Sequence, residues 1–275
     1  MVSLSSLGNG LGHPECVAWD PVSGLLACGS EGGELIWLDL DGAERRRVRV
    51  SDGMLAGIAI DATGTAYVCD VAGRRVARVT PDGAVATLTT GPADRPFTTP
   101  NYPVLDGAGR LFVSDSGTWG RRDGSIVAVD PDGTARSWST EPAGYTNGLA
   151  LDPAGTALLA VESTLPGVSR IPILADGSAG PREVLVELPR TVPDGLAFAA
   201  DGTLLISCYR PDVVRTWKDG ILRTLAEDWS GIQLSAPTNV AFAGPALDVL
   251  VAANLGGHAL TRLDGSGLTG APLGR

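Results

Sequence analysis

Apolar runs of five or six residues alternate with turns rich in glycine and aspartate along the whole chain. One layout recurs: an apolar run, a short glycine turn, a second apolar run and, later, an x-D-G turn. It reads as VAWDPVSGLLACGS, IAIDATGTAYVCD, PVLDGAGRLFVSD, LALDPAGTALLAVES, LAFAADGTLLISCY and VAFAGPALDVLVAAN. The turn glycines Gly24, Gly64, Gly109, Gly155 and Gly202 are spaced 40, 45, 46 and 47 residues apart, and a sixth turn, near Leu247, follows after 45. Second turns end at Gly42, Gly83, Gly133, Gly177, Gly220 and Gly265. Each repeat therefore predicts about four short strands joined by tight turns. A single such unit cannot bury both of its faces, whereas radial packing of six can. The pattern predicts an all-β fold, a six-bladed β-propeller, with residues 1–275 forming one domain. The residues before Leu11 are expected to lend an outer strand to the last blade. A β-sandwich also accommodates regularly spaced strands, but it gives no reason for the period.

The polar residues follow the same period. Five residues before the start of each first turn stand Glu15, Ala56, Asn101, Asn147, Asp194 and Thr238. In a propeller the first strand of each blade lines the central channel, so side chains in equal register meet at one height. Four of the six carry an amide or a carboxylate. Converging there, they would repel or stay unsatisfied unless something is bound between them. The donors are all oxygen and two are anionic, which predicts one divalent cation at Glu15, Asn101, Asn147 and Asp194. Ca²⁺ comes first, with Mg²⁺, Mn²⁺ or Zn²⁺ as alternatives. The lack of histidine in the set argues against a structural zinc. The competing reading is that each residue caps a local turn; it does not explain the shared register or the glutamate. Simple hairpin counting pairs Leu105 with Arg110, Asn101 with Ser114 and Pro100 with Asp115. It places Asp70, Asp115 and Glu162, at the ends of second strands, beside the ring.

Composition narrows the partners. Hydrophobic residues make up 44% of the chain and charged residues 19%, enough apolar material for a large core. The net charge of −10 leaves no basic stripe for a nucleic acid. The cluster Arg45, Arg46, Arg47 and Arg49 reads as the solvated face of a strand. No run of about 18 apolar residues suggests a membrane span, and MVSLSSLGNG lacks the features of a secretory signal. Cys16, Cys28, Cys69 and Cys208 form no C-x-x-C pair, and their apolar surroundings suggest reduced thiols in a cytoplasmic protein. The expected partner is a small-molecule substrate, with no nucleic acid and no membrane; the sequence does not decide the oligomeric state.

The segments HPECVAWDP, PNYPVLDGAGRLFVSDSG, YTNGLALDPAG, VPDGLAFAADG and PTNVAFAGPALDVLVAAN, in this order, resemble the senescence marker protein, regucalcin and gluconolactonase family over nearly the whole chain. The resemblance implies a six-bladed propeller with a divalent metal at the channel mouth and lactonase activity, with diisopropyl fluorophosphatase as a related branch. It implies that Glu15, Asn147 and Asp194 are metal ligands and that Asn101 binds metal or substrate. The chain departs from the sugar-lactonase members at Thr99, where they carry arginine, and at SDSGTWG, where they carry a glutamate. It departs from the fluorophosphatase branch at Ala197, where a second calcium would need an aspartate.

These readings predict metal-dependent hydrolysis of a lactone or related ester. Asp194 is the candidate general base or nucleophile, with Asn101 beside it at the reacting centre. His13, Asp115, Trp119, Tyr145 and His258 are candidate substrate-binding residues around the mouth, His13 also as a proton carrier. Two alternatives stay open: a pathway-specific cyclase or isomerase that reuses the metal, and a non-catalytic binding propeller with a structural cation.

Overall fold

The computed structural model describes residues 2–271. Twenty-four strands, β1 to β24 in chain order, form six four-stranded antiparallel sheets, and the described residues contain no helix. The inner strands are β2 (Cys16–Asp20), β6 (Leu55–Ile60), β10 (Pro100–Leu105), β14 (Thr146–Leu151), β18 (Val192–Phe198) and β22 (Pro237–Ala243). Each touches the next, and β22 returns to β2, so the six blades close on themselves. Closure is made by β1 (Ser3–Leu7), which pairs with β24 (Leu260–Asp264) as the outer strand of the last blade. The N-terminal residues thus complete the fourth strand of the last blade, as the sequence predicts.

The turn chemistry explains the regularity. Asp20, Asp61, Asp106 and Asp152 each accept backbone N–H bonds from residues two to five positions ahead, which folds the chain back into the second strand. The x-D-G turns place their glycines at positive φ, for example +90° at Gly133. Alternate side chains then meet between neighbouring blades. One layer joins Leu35 and Trp37 of blade one to Leu55, Ile58 and Val68 of blade two, and a similar layer fills each of the other five gaps. All four cysteines lie buried and unpaired in these layers. The arginine cluster falls on β5 (Glu44–Arg49), the outermost strand of its blade, where Arg47 pairs with Glu34 and Glu44.

The inner strands differ from simple hairpin counting in one respect. Leu105 pairs with Leu111 rather than Arg110, and Pro100 still pairs with Asp115. The one-residue difference is absorbed by an irregularity between Pro100 and Pro103, which takes Asn101 out of register with Ser114. Corresponding breaks lie at Leu55/Ile58, Thr146/Leu149, Pro193/Leu196 and Pro237/Asn239. Five of the six inner strands are therefore bulged at the height of the predicted ring. A bulge re-aims the side chain beside it and bends the strand.

Glycine follows the ring position in three blades, at Gly57, Gly148 and Gly195. A Cβ on Gly57 would lie 2.7 Å from Asn101 O and 2.8 Å from Tyr102 Cα of the next blade. Neighbouring backbones thus approach too closely for a side chain. Gly57→Ala is expected to lower stability by about 1–3 kcal/mol, the usual cost of overpacking. Urea unfolding checks this; an unchanged midpoint would mean that the blades can separate freely at this height.

Candidate metal centre

Glu15, Asn101, Asn147 and Asp194 are all buried, between 4% and 8% exposed. Glu15 immediately precedes β2 and its amide is held by Gly29 O at 3.1 Å. The other three sit within the bulges, which aim their side chains at the axis. Asn147 is oriented by a chain of bonds: its Nδ2 donates to Ser163 Oγ at 3.2 Å, and Ser163 Oγ donates to Pro193 O at 2.7 Å. This leaves Asn147 Oδ1 buried without a partner, and Asn101 Oδ1 is buried without one too. The remaining positions of the register are committed to structure. Thr238 Oγ1 donates to Glu15 O at 2.5 Å, and Ala56 O accepts from Cys16 Sγ at 2.6 Å.

The electrostatics are unbalanced. Among the described residues neither Glu15 nor Asp194 has an arginine, lysine or histidine in ion-pair contact. Burial pushes the Glu15 carboxyl well above its ordinary range, and the charge of Asp194 pushes it further. Burial likewise raises Asp194, opposed by the neighbouring Asn147 amide. Two buried carboxylates without counter-charge and two amide oxygens without donors form a set that one hard divalent cation would satisfy. Among the described residues no three or more His, Cys, Asp or Glu side chains gather at one point. The anionic share of this set is two carboxylates, and amide oxygens make up the rest, which suits Ca²⁺ better than zinc.

Two residues absent from the sequence expectations form the floor. Tyr102, next to Asn101, crosses the channel, and its hydroxyl accepts from Asn239 Nδ2 at 2.7 Å. Asn239 lies in blade six, opposite blade three, and its Oδ1 accepts from Val17 N at 3.0 Å. This strut closes the bore beneath the oxygens. Burial raises the Tyr102 phenol, so it remains protonated. On its far side the bore continues as an apolar cavity of about 370 Å³. The only sequence signal was a tyrosine where three other blades have glycine.

The carboxylates at the second-strand ends are engaged locally. Asp115 accepts Thr98 N at 2.9 Å and Thr99 N at 2.6 Å, fixing the segment that leads into Asn101. Asp70 pairs with Arg75 at 2.8 Å, and Glu162 takes Ser169 Oγ and Arg182. Hairpin counting placed them at the right end of the blades, but local donors hold their oxygens. His13 and Tyr145 each stand two residues before a ring donor, and both adopt φ of 57°. Non-glycine residues held at positive φ are uncommon and cluster at functional sites. His13 meets His258 at a tilt of 56° with centroids 4.4 Å apart, and Tyr145 meets Trp119 edge-on at 4.8 Å. Burial raises the Tyr145 phenol, with further contributions from the charges of Asp194 and Glu15.

Comparison with known proteins agrees with this architecture. The sequence profile of the SMP-30/Gluconolactonase/LRE-like region matches residues 13–253. Comparison with curated proteins returned no match. Among solved structures, a candidate gluconolactonase superposes with a TM-score of 0.83 at 19% identity, covering 98% of this chain and 93% of that one. The gluconolactonase XC5397 from Xanthomonas campestris gives 0.81 at 20% identity, covering 95% and 89%. The calcium-binding protein regucalcin from Agrobacterium tumefaciens gives 0.73 at 20% identity, covering 98% and 96%. At these identities the likeness speaks for the fold.

Proposed function

The chain belongs to the SMP-30/gluconolactonase/LRE-like family, which includes gluconolactonases, and we propose that it is a divalent-metal-dependent hydrolase of lactones or related esters. The observation that carries this reading is the convergence of two uncompensated carboxylates with two unsatisfied amide oxygens at one end of the channel. A purely interacting propeller has no need of so costly a set.

Glu15, Asn147 and Asp194 would hold the cation, with Asn101 Oδ1 directed at the cation or at a substrate oxygen. Ca²⁺ is the expected ion, as an all-oxygen set containing two anions suggests. A cation there would act as a Lewis acid on a carbonyl group. The protein's own part is placement and proton transfer. Asp194 is the only carboxylate of the set on the side of Asn147 and Tyr145, and it takes a proton from water or attacks the carbonyl itself. The Tyr102–Asn239 strut anchors the strand that carries Asn101 to blade six and closes the floor to water from the far face.

The test is turnover of a lactone panel by metal-free protein, with each divalent ion restored in turn. The expected result is activity that returns with Ca²⁺ and is abolished by chelator. Turnover indifferent to chelator would refute the reading. A single turnover in ¹⁸O-labelled water separates the two roles of Asp194, since label enters its carboxyl group only if it is the nucleophile. Chelator-sensitive turnover in which label enters neither the product nor Asp194 would point to an isomerase or cyclase.

A further inference from the structure

Two buried serines occupy equal places just past the ends of second strands. Ser116 follows β11 (Leu111–Asp115), and Ser163 follows β15 (Ala157–Glu162). Each reaches across to the next blade. Ser116 Oγ donates to Thr146 O at 2.8 Å, and Ser163 Oγ donates to Pro193 O at 2.7 Å. The acceptors are the carbonyls directly before Asn147 and Asp194. The link from serine to carbonyl is thus a blade-to-blade feature of the fold. Ser163 makes a further bond: its Oγ accepts from Asn147 Nδ2 at 3.2 Å.

That further bond has a fixed direction. A hydroxyl has one hydrogen to give, and a carbonyl can only accept. The Ser163 hydrogen is committed to Pro193 O, so toward Asn147 the hydroxyl can only accept. The nitrogen end of the Asn147 amide must therefore face Ser163, and the oxygen end is the one left buried without a partner. Shape does not make this choice, because the two ends of an amide are nearly the same size. Reversed, the amide would turn its N–H hydrogens toward a cation and set its oxygen against the lone pairs of Ser163.

On the metal reading above, we infer that Ser163 is a positioning residue of the centre: its hydroxyl selects the end of the Asn147 amide that meets the cation. The same hydroxyl ties the Asn147 side chain to the backbone that carries Asp194, so two donors from neighbouring blades share one post. Asp194 has another anchor on its other side, where Ser207 Oγ accepts from Gly195 N at 2.9 Å. Removal of the Ser163 hydroxyl therefore falls chiefly on Asn147. Losing the residue that orients a metal ligand costs roughly 10–100-fold in metal affinity.

The experiment has two arms, both on the full chain. Neutron diffraction from the metal-free wild type, which needs no variant, locates the exchanged deuterons. The expected result is one on Asn147 Nδ2 facing Ser163 and one on Ser163 Oγ facing Pro193 O. A Ser163 deuteron aimed at Asn147 would overturn the inference. Calorimetric titration with Ca²⁺ then compares the effect of Ser163→Ala in the wild type and in Asn147→Asp. A carboxylate has two equal oxygens and needs no orienting, whereas a merely structural loss would weaken both backgrounds alike. Ser163→Ala should weaken Ca²⁺ binding about ten-fold in the wild type and less than about two-fold in Asn147→Asp. Unchanged affinity in Ser163→Ala, or an equal loss in both backgrounds, would overturn the inference. Deuterons in the stated places together with no Ca²⁺ binding by the wild type would uphold Ser163 as the residue that orients Asn147 and reject the metal reading.

Discussion

Asp194→Asn is expected to lower lactone turnover by about 10² or more at saturating cation, the scale of losing a general base. The amide retains an oxygen for the cation but has neither the charge nor the basic lone pair. Cation affinity should fall as well, because one of the two anionic donors of the set disappears. Activity must therefore be compared at saturating Ca²⁺. Asn101→Asp is the companion variant. It fills a position where a buried oxygen has no partner and raises the anionic count from two to three. It should tighten the cation while weakening its pull on a carbonyl, so affinity and kcat should move in opposite directions. Near-normal turnover by Asp194→Asn at saturating Ca²⁺ would remove Asp194 from the chemistry and leave the ring as a structural cation site.

The second large effect is on stability. In the metal-free protein, burial holds the Glu15 carboxyl above its ordinary range, as does the charge of Asp194, and burial also raises Asp194. A raised folded pKa means that the folded state keeps a proton that the unfolded chain has released. The associated stability is present below the unfolded value of about 4 and is lost as pH rises through the folded pKa. The metal-free protein should therefore melt at progressively lower temperature as pH rises from about 4 through the raised folded pKa values. Calcium should reverse the trend. At a hundred-fold excess over Kd a ligand adds about 2.7 kcal/mol, and at a few degrees per kcal/mol that is a rise on the order of 5–10 °C. In Asp194→Asn the like charge is gone, so the metal-free variant should be less sensitive to pH and should match or exceed the wild type in stability near pH 8. Differential scanning calorimetry with and without chelator measures both trends. A melting temperature indifferent to Ca²⁺ and to pH would show that the two carboxylates are compensated in some other way.

The blade count was legible because each blade repeats the same local chemistry: an Asx-capped turn, a glycine at positive φ and apolar runs of strand length. Those are short-range interactions and need no knowledge of the partner blade. The ring at Glu15, Asn101, Asn147 and Asp194 was legible for the same reason, since equal register in a repeat becomes equal height around an axis. The closing role of Ser3–Leu7 follows from counting strands in the last repeat.

Tertiary structure decided the rest. The bulge beside Asn101 cannot be read from hairpin counting, because turns of two lengths fit the same string; in the structure Asp106 N donates to Arg110 O across the turn, and the bulge lies where Gly57 packs against the Asn101 backbone. Asp115 looked like a free carboxylate at the mouth, yet the fold brings the amides of Thr98 and Thr99 to it. Tyr102 carried no assignment from the sequence, and only ring closure sets Asn239 across the channel from it, 137 positions away in sequence. His13 and His258 became neighbours in the same way. Local sequence determines which residues point inward, since strand alternation and turn geometry are properties of adjacent residues. Which inward groups remain unsatisfied depends on partners brought from other blades, and it is this remainder that marks Glu15, Asn101, Asn147 and Asp194 as the candidate site.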